Sequence, residues 1–243
     1  MDAEALHHLI LTYDIQLSTK LDNATKHMMR QRLEDACAVA GAAARLPEGS
    51  TTFLDRGDGA LLLMSADVPK KRVLDIWLRV FHRRLHDAYV RSAPRIQVRL
   101  AVHAGEVQSS GGGQVSPDID FACRLVDAPE AKRILAATPS APLAVVVSEA
   151  IYRQVVRPSA PELDPEAYTR IPVQVKETSD TAWLQLPGWA RVPVPPQSRG
   201  EPASPASDAA DADEPGSGNV FNGPVGVVGK AVGNRFTFGG GAE

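Results

Sequence analysis

Two aspartates, Asp14 and Asp58, stand where strand and turn chemistry could bring carboxylates together. Asp14 lies near the end of an apolar, partly β-branched run, LHHLILTYDI, which reads as a strand from Leu6 to Ile15. Asp58 lies in Asp55-Arg56-Gly57-Asp58-Gly59, where Asp-Gly marks a hairpin tip because glycine accepts positive φ. With the first strand beside that hairpin, both side chains project from one edge of one sheet. Two facing carboxylates without a cation repel, and each raises the other's pKa. A hard divalent cation relieves that repulsion and also binds triphosphates. A pair of such cations can activate an attacking oxygen and neutralise a leaving pyrophosphate.

The elements that must position these residues follow from hydrophobic periodicity. Asn23–Ala43 reads as a helix, with Met29, Leu33 and Cys37 on one face and Gly41 weakening its end. Thr51–Leu54 and Ala60–Met64 read as the strands of the Asp58 hairpin. Pro69 opens a second helix lined by Leu74, Leu78, Phe81 and Leu85. Ile96–Val107 is the clearest strand. Pro117 opens a third helix running to about Ala137, with Ala122, Leu125 and Val126 inward. Leu143–Val147 reads as a buried strand, Glu149–Val156 as a short helix, and Tyr168–Lys176 with Thr181–Leu186 as a closing hairpin. This order predicts an α+β fold with a ferredoxin-like βαββαβ core and additions.

At 44% hydrophobic and 23% charged, the 243 residues suit one soluble domain with sequence to spare, or two small domains. Composition divides the chain into a folded domain over 1–188, a Pro/Ala/Ser/Asp-rich flexible linker over 189–218, and a Gly/Val/Phe-rich tail over 219–243. The net charge of −3, without a broadly basic composition, does not resemble a general nucleic-acid binder. No apolar run is long enough to span a membrane, and no secretion signal is visible. Cys37 and Cys123 fall in apolar, helix-like contexts and read as buried thiols, which points to the cytoplasm. None of the six histidines shows metal-ligand spacing; His103, in an alternating strand, reads as a satisfied structural residue. Lys70–Arg72 reads as a solvated helix start.

The segments TYDIQLST, DRGDGALLL, RLAVHAGEV, DIDFACRL and IPVQVKET occur in the order found in class III nucleotide cyclases, which this chain resembles from Leu6 to Leu186. The resemblance implies a homodimer that converts a nucleoside triphosphate to a 3′,5′-cyclic nucleotide and pyrophosphate. It implies Asp14 and Asp58 as ligands of two Mg²⁺ or Mn²⁺ ions, with the backbone carbonyl of Ile15 beside them. It implies Arg124 as the residue that stabilises charge on the transferring phosphate, a task suited to a planar guanidinium. Lys176 resembles the lysine that holds the triphosphate. In this family the metal ligands and the arginine come from different subunits.

Two positions depart from the pattern. Asp120 replaces the asparagine expected four residues before Arg124, so it reads either as a catalytic-site acid that disfavours turnover or as a solvated helix residue. Leu54 replaces the polar purine reader four residues before Asp58. That apolar replacement is similar to the pyrimidine cyclases of bacterial anti-phage systems, which favours UTP or CTP over ATP or GTP. A nucleotide sensor or assembly protein that has lost turnover is the alternative. The tail, NVFNGPVGVVGKAVGNRFTFGGG, resembles amyloid-signalling motifs that recruit a partner by cross-β stacking.

Overall fold

The computed structural model describes residues 4–91, 95–110, 113–175 and 178–193. The elements run β1 (Ala5–Ile15), α1 (Asn23–Ala43), β2 (Thr51–Asp55), β3 (Gly59–Ser65), then α2 (Lys70–Arg72), a π turn (Val73–Trp77) and α3 (Leu78–Arg91) as one helical run. There follow β4 (Val98–Ser110), β5 (Gly113–Val115), α4 (Pro117–Val126), α5 (Pro129–Ala136), β6 (Leu143–Ser148), α6 (Glu149–Ile151) with a π turn (Tyr152–Val156), β7 (Thr169–Val175) and β8 (Thr178–Gln185).

The strands form one sheet in the order β2-β3-β1-β4-β6-β8-β7, with β5 appended to β4. All neighbours pair antiparallel except β4 and β6, which run parallel. The quartet β2-β3-β1-β4, joined by α1 and by the α2–α3 run, is the expected ferredoxin-like core.

Alternation along β1 decides which layer each residue joins. Leu9, Leu11, Tyr13 and Ile15 pack under α1 and α3 with Met29, Leu33, Cys37, Trp77, Phe81 and Leu85. Ile10 faces the other way, with Leu61 and Leu63 of β3, and meets Ile119 and Ala122 of α4. A third cluster joins Leu125, Ala131, Ile134 and Leu135 to Ala144 and Val146 of β6, and Val192 packs against it. The helix faces expected from periodicity are the buried ones.

Three differences from the sequence reading have simple causes. The third helix is two helices: Pro129 starts a new one after Asp127 and Ala128, because proline cannot donate into the preceding turn. β4 runs on to Ser110 and folds back as β5, three residues in a glycine-rich stretch with almost no apolar signal. The turn after β6 loosens from α to π geometry at Tyr152. Among the described residues, no helix is long and apolar enough to cross a membrane. Lys176 and the tail over 219–243 lie outside the described residues, as does the linker beyond residue 193.

Candidate functional site

Register brings the two aspartates to the same end of the sheet. On β1, Asp14 stands opposite Gly59 of β3 on one side and Arg99 of β4 on the other. The Ile15 amide donates to the carbonyl of Asp58 at 3.3 Å, closing the hairpin tip against the end of β1. The side chain of Ile15 is buried beneath the opposite face, so Ile15 can offer the site only its backbone.

Gly59 makes that approach possible. A Cβ there would stand 2.2 Å from the Tyr13 carbonyl oxygen, a backbone atom that cannot swing aside. Gly59→Ala should therefore force β3 away from β1 and carry Asp58 with it. We expect a stability loss of about 1–3 kcal/mol, the usual range for overpacking, read as a lower urea midpoint at unchanged slope.

Neither carboxylate is left without a protein partner. The Asp14 carboxylate is ion-paired with the Arg99 guanidinium, and the Ser18 hydroxyl donates to Asp58. The Arg99 side chain is only 5% exposed, so its charge depends on these contacts. It also donates from Nε to the Val126 carbonyl at 2.9 Å and from Nη1 to the Gln16 side chain, and it lies 3.8 Å from Asp127. Gln16 in turn donates to the Lys132 carbonyl at 3.0 Å, and the Lys132 ammonium meets Asp127 at 2.8 Å. The end of β1 is thus tied to the α4–α5 corner.

Burial pushes the Asp14 carboxyl above its ordinary pKa; Arg99 pulls it down, while Asp58 and then Asp127 push it up again. A cation on Asp14 requires its ionised form, so Mn²⁺ affinity should fall on acidification at a higher pH than a solvated aspartate would impose. Mn²⁺ titrations followed by water-proton relaxation between about pH 7 and pH 5 test this, and Asp14→Asn should flatten the dependence. The folding term has the opposite sign. The native chain takes up the Asp14 proton before the unfolded chain does, so protonation relieves a buried charge instead of removing a stabilising one.

The site chemistry fits a hard cation. Among the described residues no group of three or more His, Cys, Asp or Glu forms a metal cage. Two carboxylates and a backbone carbonyl leave the remaining positions to water and phosphate oxygens, the arrangement Mg²⁺ prefers.

Of the other expected residues, Leu54, Asp120 and Arg124 are described. Leu54, on β2, packs against the α4-side cluster and offers no hydrogen bond to a base. Arg124 lies partly buried on α4, one turn after the exposed Asp120. Asp120 sits in the first turn of α4, where the helix dipole favours an acid without any further role. Burial raises the Cys123 thiol, with Arg56 opposing and Asp120 and Asp127 adding, so the hairpin and α4 share one electrostatic neighbourhood. Sequence reasoning missed Arg99, Ser18, Gln16 and Asp127. For Arg99 a signal existed: an arginine inside the apolar alternation IQVRLAV.

No protein-family model and no curated protein matches the sequence. Solved structures do resemble the fold. An adenylate/guanylate cyclase/hydrolase from Silicibacter pomeroyi superposes with a TM-score of 0.56 at 18% identity, covering 77% of this chain and all of that one. The monomeric guanylyl cyclase domain of the RhoGC fusion protein from Blastocladiella emersonii gives 0.48 at 12% identity, over 76% of this chain and 98% of that one. The adenylyl cyclase CyaB from P. aeruginosa gives 0.46 at 12%, over 76% and 94%. The chain therefore has the fold of an adenylate/guanylate cyclase catalytic domain.

Proposed function

We propose that the protein is a nucleotide cyclase, converting a nucleoside triphosphate to its 3′,5′-cyclic monophosphate and pyrophosphate. The observation that carries this reading is the convergence of Asp14 and Asp58 at one end of a cyclase-fold sheet, where Asp14 pairs with Gly59 and the Ile15 amide donates to the Asp58 carbonyl. Asp14, Asp58 and the Ile15 carbonyl are the groups to hold Mg²⁺ or Mn²⁺. When bound, two such ions lower the pKa of the ribose 3′-hydroxyl and neutralise charge on the phosphates. The Ser18 hydroxyl donates to the Asp58 carboxylate, and Arg99 ion-pairs with Asp14 and opposes the effect of burial on it. Arg124 stabilises charge on the transferring phosphate and Lys176 holds the others, each reaching the site across a homodimer.

The apolar surroundings of Leu54 support a pyrimidine substrate, UTP or CTP, in a bacterial signalling or anti-phage setting. The tail over 219–243 would then recruit a partner by strand stacking. Incubation of the full chain with each of the four NTPs and Mn²⁺, followed by mass spectrometry, tests the reading. A cyclic product from UTP or CTP supports it.

One observation favours a second reading. Both aspartates already have protein partners, and Asp120 adds a carboxylate where phosphates would approach. A chain that binds nucleotide tightly and forms no product from any NTP would be a sensor built on the cyclase fold.

A further inference from the structure

A second buried polar constellation lies on β4, four residues beyond Arg99. His103 is 8% exposed, and both of its ring nitrogens are engaged. Nε2 lies 3.2 Å from Oδ1 of Asp118, in the first turn of α4. Nδ1 lies 3.0 Å from Oγ of Ser148, at the end of β6. The ring also meets Phe121 of α4 edge-on, with centroids 4.9 Å apart.

The set is Ser, His and Asp, yet it is not a nucleophile device. Ser148 is 1% exposed, and its Oγ accepts the Ile151 amide at 3.3 Å as the cap of α6. No substrate carbonyl could reach it.

The hydrogen-bond inventory fixes the proton positions. An ionised Asp118 only accepts, so Nε2 carries the hydrogen and Nδ1 accepts from the Ser148 hydroxyl. Every polar atom of the Asp118–His103–Ser148 trio is then satisfied by a neutral imidazole. Burial holds His103 below the ordinary histidine pKa, against the pull of Asp118 and Asp180 and with a small push from His7.

Asp118 is the point where α4 is fastened. Its other oxygen accepts the Glu106 amide at 2.8 Å, and Ser116 both caps α4 and donates to the Glu106 carbonyl. A Cβ at Gly105 would stand 2.1 Å from the Asp118 carboxyl carbon, so the carboxylate lies flat on the β4 backbone. The same helix carries Asp120 and Arg124.

We propose that His103 is a positioning residue: through Asp118 on one side and Ser148 on the other, it sets where α4 holds Arg124. This rests on the reading that α4 serves nucleotide turnover. The two amide substitutions separate the two bonds, because asparagine mimics Nδ1 and glutamine mimics Nε2. His103→Asn keeps the Ser148 bond and loses the Asp118 bond; His103→Gln does the reverse.

The test compares the full-length wild type with both variants. In His103→Asn, amides of 118–126 should exchange with solvent about ten- to a hundredfold faster, the effect of one hydrogen bond to a charged group, while those of β1 and β3 stay unchanged. With the substrate that turns over, kcat should fall on the order of tenfold at an unchanged KM, and His103→Gln should restore both readouts. Should His103→Asn fail to fold, Asp118→Asn can keep an acceptor for the Glu106 amide while turning an amide donor toward Nε2, and should loosen α4 alone. Unchanged exchange in α4, or equal effects of Asn and Gln, would overturn the proposal. If the wild type forms no cyclic product, the cyclase reading fails, and exchange at α4 still decides this one.

Discussion

Asp58→Asn should lower cyclic-nucleotide formation by about a thousandfold or more while leaving the fold intact. The asparagine is the same size, and its oxygen can still accept the Ser18 hydroxyl. The hairpin is held by backbone bonds, from Ile15 to the Asp58 carbonyl and from Arg56 to the Gly59 carbonyl, which the substitution does not touch. What it removes is one negative charge of a two-carboxylate set, with no third His, Cys, Asp or Glu grouped with it among the described residues. The comparison to make is product yield by mass spectrometry with saturating Mn²⁺, alongside a urea unfolding curve. Loss of product with an unchanged midpoint assigns the effect to chemistry. Retention of more than about a tenth of the activity would show that Asp58 is not a metal ligand.

Arg99→Met should have the largest effect on folding. The arginine is almost fully buried and offsets Asp14, whose carboxyl burial already pushes it toward protonation. Removing one partner of such a pair leaves an uncompensated charge, at about 3–5 kcal/mol. It also orphans the Val126 carbonyl and the Gln16 side chain that the guanidinium satisfies. The double variant Asp14→Asn/Arg99→Met should recover a good part of the loss, because both charges then leave together. A double-mutant cycle on urea unfolding measures that recovery. A single-variant loss within about 0.5 kcal/mol would place Arg99 among solvated surface groups.

The two variants act on the same corner but separate its roles. Asp58 costs the molecule little to lose, and its effect shows only with substrate present. Arg99 is part of what holds β1, β4 and the α4–α5 corner in one arrangement, so its loss shows without any ligand.

Much of the framework was legible in the residues themselves. An apolar, partly β-branched run gave β1, alternation gave β4, the i, i+4 pattern gave the buried faces of α1 and α3, and Asp-Gly gave the hairpin between β2 and β3. These are local signals, set by side-chain direction within one element. The convergence of Asp14 and Asp58 was legible too, because a hairpin following β1 and α1 has one natural place in this topology. The break at Pro129 was in the sequence and was read through; β5 had almost no apolar signal to read.

The sequence by itself determined the element types, the buried faces, and the presence of two carboxylates and an arginine-bearing helix in cyclase-like order. Only the tertiary structure decided what those carboxylates touch. Whether Asp14 meets Arg99 depends on the antiparallel register of β1 and β4, and a slip of one residue would turn each side chain to the other face. Whether His103 is idle or fastens α4 depends on Ser148 and Asp118, which are 45 and 15 residues away from it. Such partners carry no periodic signature, because the contacts that define them exist only once distant strands and helices are packed together.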